Sequence, residues 1–138
     1  MIFLSDAAIE YAVKICAETS EYQVGIFISK KFNPARFENI KRNVIEIAHD
    51  FVELKDAYYI KKIVDSDREC SIRFSNDSQL FLFDANWAGF CGFRLHLLIA
   101  DMNINERILT DSLLPMEYLD WQDYKRFHAL DTIPKEDE

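Results

Sequence analysis

The sequence predicts an α/β domain in three layers, with a mostly parallel sheet and one β-hairpin. Three observations carry that expectation. Two short, fully apolar runs, at 23–29 and 95–100, have no polar face and so suit strands covered on both sides. A long amphipathic pattern at 33–51 separates the first run from the middle of the chain. Between 69 and 84, two strand-like stretches flank a tight-turn sequence.

Taken in order, Ser5 is a helix N-cap, and Ile9, Ala12, Val13 and Cys16 follow at helical spacing, which predicts a helix over 5–20. The buried strand 23–29 comes next. Asn33-Pro34 then supplies a cap and a proline at the first helical position, where its missing N–H costs nothing. Phe37, Ile40, Val44, Ile47, Ala48 and Phe51 form one face of that helix. Residues 58–64, 69–75 and 79–84 read as strands. Asn76-Asp77-Ser78 joins the last two as a hairpin, because Asn and Asp tolerate positive φ and bond their own backbone. Residues 85–94 are an aromatic loop with two of the three glycines, and strand 95–100 ends at Asp101. A short helix opening at Asn103 or Asn105 stops before Pro115, another runs from Asp120 to about Leu130, and Glu117, Asp120 and Asp123 read as its solvated face. The domain spans 1–133, and 134–138 is a frayed acidic tail.

Composition excludes several functions. The 138 residues carry a formal charge of −8, with 49% hydrophobic residues, too many for a disordered chain. Residues 101–138 hold four Lys/Arg against ten Asp/Glu, while each preceding block of fifty holds six against seven. No basic stripe suited to a phosphate backbone appears, which argues against direct nucleic-acid binding. No apolar run approaches the ~20 residues of a membrane span, and no leader pattern opens the chain, so a cytoplasmic protein without membrane association is expected. Cys16, Cys70 and Cys91, with His49, His96 and His128, are too scattered for a metal motif, so no metal or cofactor is expected. Asp65, Asp67 and Glu69 alternate as a calcium loop begins, but Cys70 and Asn76 occupy its glycine and glutamate positions, leaving an acidic turn.

The run 95–101 has the form of a Walker B strand: apolar residues ending in an aspartate at the carboxyl end, where open α/β sheets place ligands. Its surroundings sharpen that reading. Phe74-Ser75-Asn76-Asp77-Ser78-Gln79-Leu80, then Phe90-Cys91-Gly92-Phe93-Arg94 and the strand ending in Asp101-Met102, resemble the ATPase domain of the large terminase subunit, the motor that packages DNA into tailed-phage capsids. Members of that family read F-S-N-G-S-x-I, then F-R-G, then a buried strand ending in Asp-Glu. The run Val24-Gly25-Ile26-Phe27-Ile28-Ser29 and the helix after it resemble the strand and helix that follow the family's nucleotide-binding helix, and the helix from Ser5 resembles that helix itself. The likeness covers about residues 5–115 and implies a truncated P-loop-type fold.

The departures remove the chemistry that the resemblance implies. No G-x-x-x-x-G-K-[ST] occurs, so the amide cradle, its lysine and its magnesium-holding hydroxyl are missing. Met102 stands where the catalytic glutamate would follow Asp101, Cys91 stands in place of an arginine, and Asp77 replaces the hairpin glycine. The family's nuclease domain has no counterpart. Phosphoryl transfer depends on positioning and electrostatics, so catalysis is not expected and Asp101 reads as a vestigial Walker B residue. The expectation is a noncatalytic, phage-type protein that binds a protein partner, such as a packaging motor, host factor or defence protein. Its contact surface is placed at Trp87, Phe90, Phe93 and Arg94, since aromatic residues anchor interfaces. One alternative is a split or accessory subunit of a packaging ATPase whose P-loop comes from another chain, with Arg94 or Arg107 facing phosphate. Another is an acidic inhibitor or nucleic-acid mimic on an unrelated α/β fold.

Overall fold

The computed structural model describes residues 1–31, 33–54, 60–66, 69–86, 95–102 and 104–117, with 52–54 described in backbone alone. In chain order the elements are β1 (Ile2–Phe3), α1 (Asp6–Glu18), β2 (Gln23–Ile28), α2 (Pro34–Leu54), β3 (Ile60–Asp65), β4 (Glu69–Phe74), β5 (Gln79–Asp84), β6 (Leu97–Ala100) and α3 (Glu106–Ile108). After α3 the chain continues through a π-turn at Leu109–Leu113 and a 3-10 turn at Leu114–Met116.

The strands form one sheet in the order β1-β6-β2-β5-β4-β3. The pairs β1–β6, β6–β2 and β2–β5 are parallel, and β5–β4 and β4–β3 are antiparallel, so β4 alone runs against the other strands. The two apolar strands are therefore central, adjacent and parallel, with Val24 opposite Leu97 and Phe27 opposite Ala100. Residues 69–84 make the expected hairpin, and its turn places Asp77 at φ 66°.

The two long helices, α1 and α2, lie on one face. Ala8, Ile9, Ala12, Val13 and Cys16 of α1 and Phe37, Val44 and Ala48 of α2 share a core with Ile2, Val24, Ile26, Ile72, Leu80 and Ile99. The alternate residues of the same strands, Phe27, Phe81, Phe83, Leu98 and Ala100, pack against Ile104, Leu113 and Met116 on the other face. That second covering completes the three layers. The connections β1→β2 and β2→β3 travel the same way across the sheet. Crossovers of one hand must then put α1 and α2 on one side, as observed.

Local chemistry explains the ends. Ser5 Oγ accepts the Ala8 amide (3.0 Å), and Asn33 Oδ1 accepts the Arg36 amide (3.0 Å), so both caps form as the sequence predicts. The hairpin turn also closes α1. Asn76 Nδ2 donates to the carbonyls of Cys16 (2.9 Å) and Ala17 (3.0 Å), two of the last-turn acceptors that a helix leaves unpaired. Ser78 Oγ accepts the Tyr22 amide (3.0 Å) and donates to the Thr19 carbonyl.

The structure adds a strand that the sequence did not predict and corrects two expectations. β1 pairs with β6, although two residues are too few to carry a periodic signal. β6 starts at Leu97 instead of residue 95, because Leu95 pairs with Glu117 and the His96 ring turns inward. There His96 Nδ1 accepts the Gln23 amide (3.0 Å) and the ring stacks on Tyr22, with centroids 4.8 Å apart. The short helix opens at Asn105 and stops before Pro115 as expected, and the separate 3-10 turn carries that proline near its start, where no N–H is needed. Glu117 is buried and paired with the amino group of Met1 (3.0 Å), so it is no part of a solvated face. The strand expected at 58–64 is observed as Ile60–Asp65. The expected helix from Asp120 to Leu130 and the tail 134–138 lie outside the described residues.

Candidate functional site

Open α/β sheets bind ligands beyond the carboxyl ends of their strands, between neighbours whose following segments leave on opposite faces. Here β1 and β2 lead into α1 and α2 on one face, whereas β6 leads into Ile104 and Leu113 on the other. β5 also leads into the second face, because Ala85 and Leu95, which bracket the β5–β6 connection, both pack there. By that rule the place to look for a crevice is the shared carboxyl edge of β1, β6, β2 and β5, where Ser29, Lys30, Asp84 and Asn86 bond one another and Arg36 bonds Asp101.

Asp101 sits at its centre and is 6% exposed. Its backbone is fixed by bonds from its own amide to the Phe27 carbonyl (3.0 Å) and from the Ile104 amide to its carbonyl (3.3 Å). Its carboxylate is engaged on both oxygens. Arg36, on the first turn of α2, donates from Nε to Oδ2 (2.8 Å) and from Nη2 to Oδ1 (3.1 Å), and the Met102 amide adds a bond to Oδ1 (2.9 Å). This is the bidentate geometry that suits a guanidinium to a carboxylate. The bond to Asp101 raises the Arg36 pKa further above its usual range; burial opposes this, and the charges of Asp101 and Asp6 add to it.

The neighbouring part of the crevice is also tied. Asp84 Oδ1 accepts the amides of Lys30 (3.2 Å) and Asn86 (3.1 Å), and Asn86 Nδ2 donates to Ser29 Oγ (2.8 Å). Between β1 and α1 only Leu4 and Ser5 intervene, and Leu4 is held by its amide to the Ala100 carbonyl (2.9 Å). A phosphate cradle is a longer turn of successive outward-facing amides, and this connection has no room for one.

A second charged cluster lies away from the crevice. Lys41, buried on α2, donates to Asp65 Oδ1 (2.8 Å) and the Ser66 carbonyl (3.3 Å), and pairs with Glu38 (3.1 Å). Burial pulls its pKa down, but the bonds to Asp65 and Glu38 and their charges outweigh that, so it is raised. The cluster fastens α2 to β3. Asp65 is thereby a structural partner of Lys41, and Asp67 lies outside the described residues.

Of the residues singled out from sequence, Asp101 and Met102 lie in the crevice. Met102 is 76% exposed, directly after the buried aspartate. Trp87, Phe90, Phe93 and Arg94 lie outside the described residues, as do Cys91, Tyr58 and Tyr59. Arg107 is exposed on α3 and its amide bonds the capping Asn105 (2.8 Å). Arg36 was missed, because an arginine on a helix's first turn resembles any solvent-facing charge. The signal that could have found it is topological: β2 lies beside β6, so the first turn of the helix after β2 reaches the residue that ends β6.

Among the described residues no group of three or more His, Cys, Asp or Glu side chains is placed to hold a metal ion. Among the same residues no helix is long and apolar enough to cross a membrane. Compared with protein-family models, with curated proteins and with solved structures, the chain matches none.

Proposed function

We propose that this chain is a noncatalytic binding protein on a degenerate, terminase-ATPase-like α/β fold, and that it acts by engaging a protein partner at the carboxyl edge of its sheet. The observation that carries this reading is the closure of Asp101 by Arg36 at 2.8 and 3.1 Å. A Walker B aspartate must face a magnesium ion, usually through water, whereas this carboxylate is neutralised by a guanidinium and bonded on both oxygens. The two-residue β1–α1 connection supports the same reading, because it leaves the β- and γ-phosphates without amide donors.

Two large apolar side chains are also exposed at this edge. Met102 follows the end of β6, and Phe3, 40% exposed, lies on the neighbouring strand end. A flexible thioether and an exposed aromatic ring are suited to an irregular protein surface. Trp87, Phe90, Phe93 and Arg94 belong to the same proposed surface by their position in the β5–β6 connection. The resemblance to a packaging motor makes a phage-encoded protein acting in a host cytoplasm part of the proposal.

Calorimetric titration of the full chain with magnesium-ATP tests the noncatalytic half. The expected result is no saturable heat up to about 1 mM nucleotide. Micromolar binding, lost in Asp101→Asn, would overturn it. Quantitative affinity capture from host cells tests the other half. Proteins retained by the full chain and lost with Met102→Glu, at unchanged melting temperature, are expected; identical capture by both would move the surface elsewhere.

A further inference from the structure

Helices α1 and α2 touch along the sheet, and between them lies an open groove of about 340 Å³. It is lined by Glu10 and Lys14 of α1 and by Ile47, Asp50 and Phe51 of α2. Its floor is apolar. Ile47 and Phe51, one turn apart on α2, are half-buried and packed on the core that both helices share with the sheet.

The rim is charged, and mostly of one sign. Asp6, Glu10, Lys14 and Glu18 follow at four-residue intervals, so they form one exposed stripe along α1, and Asp50 is exposed across the groove. The stripe and Asp50 together hold four carboxylates and one ammonium. None of the four carboxylates is ion-paired with a basic group among the described residues. Where α2 meets β3, by contrast, Glu38 and Asp65 are both paired with Lys41.

An apolar floor under an acidic rim selects its occupant. Phosphate backbones and anionic lipid surfaces are repelled by such a rim. A second copy of the chain, with the same rim and a net charge of −8, is repelled as well. A basic amphipathic helix answers both features. Its apolar side chains, one turn apart, seat on Ile47 and Phe51, and its cationic flanks meet Glu10, Glu18 and Asp50.

We infer that the α1–α2 groove docks a cationic amphipathic helix of a partner protein, on a surface separate from the carboxyl edge of the sheet. Fluorescence anisotropy of a labelled leucine–lysine helix of about 14 residues, titrated with the full chain, tests this. Saturable one-to-one binding that weakens with salt is expected. Glu10→Lys with Asp50→Lys should weaken it at least tenfold, and Lys14→Glu should tighten it. Glu106→Lys with Asp111→Lys, the same change of charge on the other side of the sheet, should leave it nearly unchanged. Met102→Glu should do likewise, which separates the groove from the carboxyl edge. A probe with its leucines replaced by serine should bind at least tenfold more weakly. All the substituted positions are exposed, and thermal melts verify folding. No saturable binding, equal weakening by the two double variants, loss of binding with Met102→Glu, or undiminished binding of the serine probe would each overturn the assignment.

Discussion

Arg36 grips Asp101 across 65 residues of sequence, with both carboxylate oxygens within 3.1 Å of the guanidinium. The pair joins the first turn of α2 to the end of β6 as a strut. Arg36 lies just inside the Asn33 cap, its amide bonded to Asn33 Oδ1.

Removing one partner should cost more than removing both. Arg36→Ala leaves a buried carboxylate holding only the Met102 amide, and should destabilise the protein by ~1–3 kcal/mol, less than for a fully buried pair because Arg36 is 38% exposed. The double variant Arg36→Ala, Asp101→Asn should be more stable than the sum of the single losses implies. Urea unfolding of the three variants measures the coupling.

The hairpin turn supplies a second test. Asn76→Ala removes both donors to the end of α1 and the acceptor for the Ser78 amide, and should cost ~1–3 kcal/mol. Asp77→Gly at the same turn should be nearly neutral, since glycine relieves the positive φ while losing exposed contacts to Lys61 and Arg73. Chemical denaturation with an unchanged slope for both variants checks this contrast.

These tests bear on how much could be read from residues alone. The caps at Ser5 and Asn33, the amphipathic face of α2 and the turn at Asp77 were legible because each depends on neighbours in sequence. The central, parallel placement of the two apolar strands followed from their lack of a polar face. What escaped depends on contacts between distant residues. His96 leaves the strand to accept the Gln23 amide, 73 residues away in sequence. Glu117 is buried and pairs with the amino group of Met1, 116 residues away in sequence. In the candidate site, the sequence singled out Asp101 and Met102, but could not reveal the arginine that closes Asp101. Asn76 and Ser78, which carry much of the terminase resemblance, prove to be ties between the hairpin and α1.

Packing between β2 and the β5–β6 connection gives a third prediction. A Cβ at Gly25 would lie 2.6 Å from Leu95 Cδ1 and 2.9 Å from the Phe27 ring. Gly25→Ala should cost ~1–3 kcal/mol by overpacking, and Leu95→Val in the same chain should recover part of it. Thermal unfolding of the single and double variants decides the point.

The thiols predict a pH dependence. Burial raises the Cys70 pKa from 9.0 to about 11, with the charge of Asp65 adding to it, and raises that of the fully enclosed Cys16 further. On unfolding, both thiols ionise near their ordinary value. Above about pH 9 the unfolded chain therefore holds fewer protons than the folded one, and stability falls as pH rises through 11. In a Cys91→Ser background, neither thiol should react with a disulfide reagent at pH 8 until denaturant is added. Reaction of the native protein at the rate of a free thiol would contradict this.

The closure of Asp101 is tested most directly by paramagnetic broadening with manganese(II), a stand-in for magnesium. Amide resonances of Ala100, Asp101, Met102 and Ile104 should keep their intensity in the native chain at metal concentrations that broaden its exposed acidic surface. In Arg36→Ala, where the carboxylate loses its guanidinium, the same amides should broaden selectively. Selective broadening of these four amides in the native chain would show that Asp101 is open to a divalent cation, and would contradict the account.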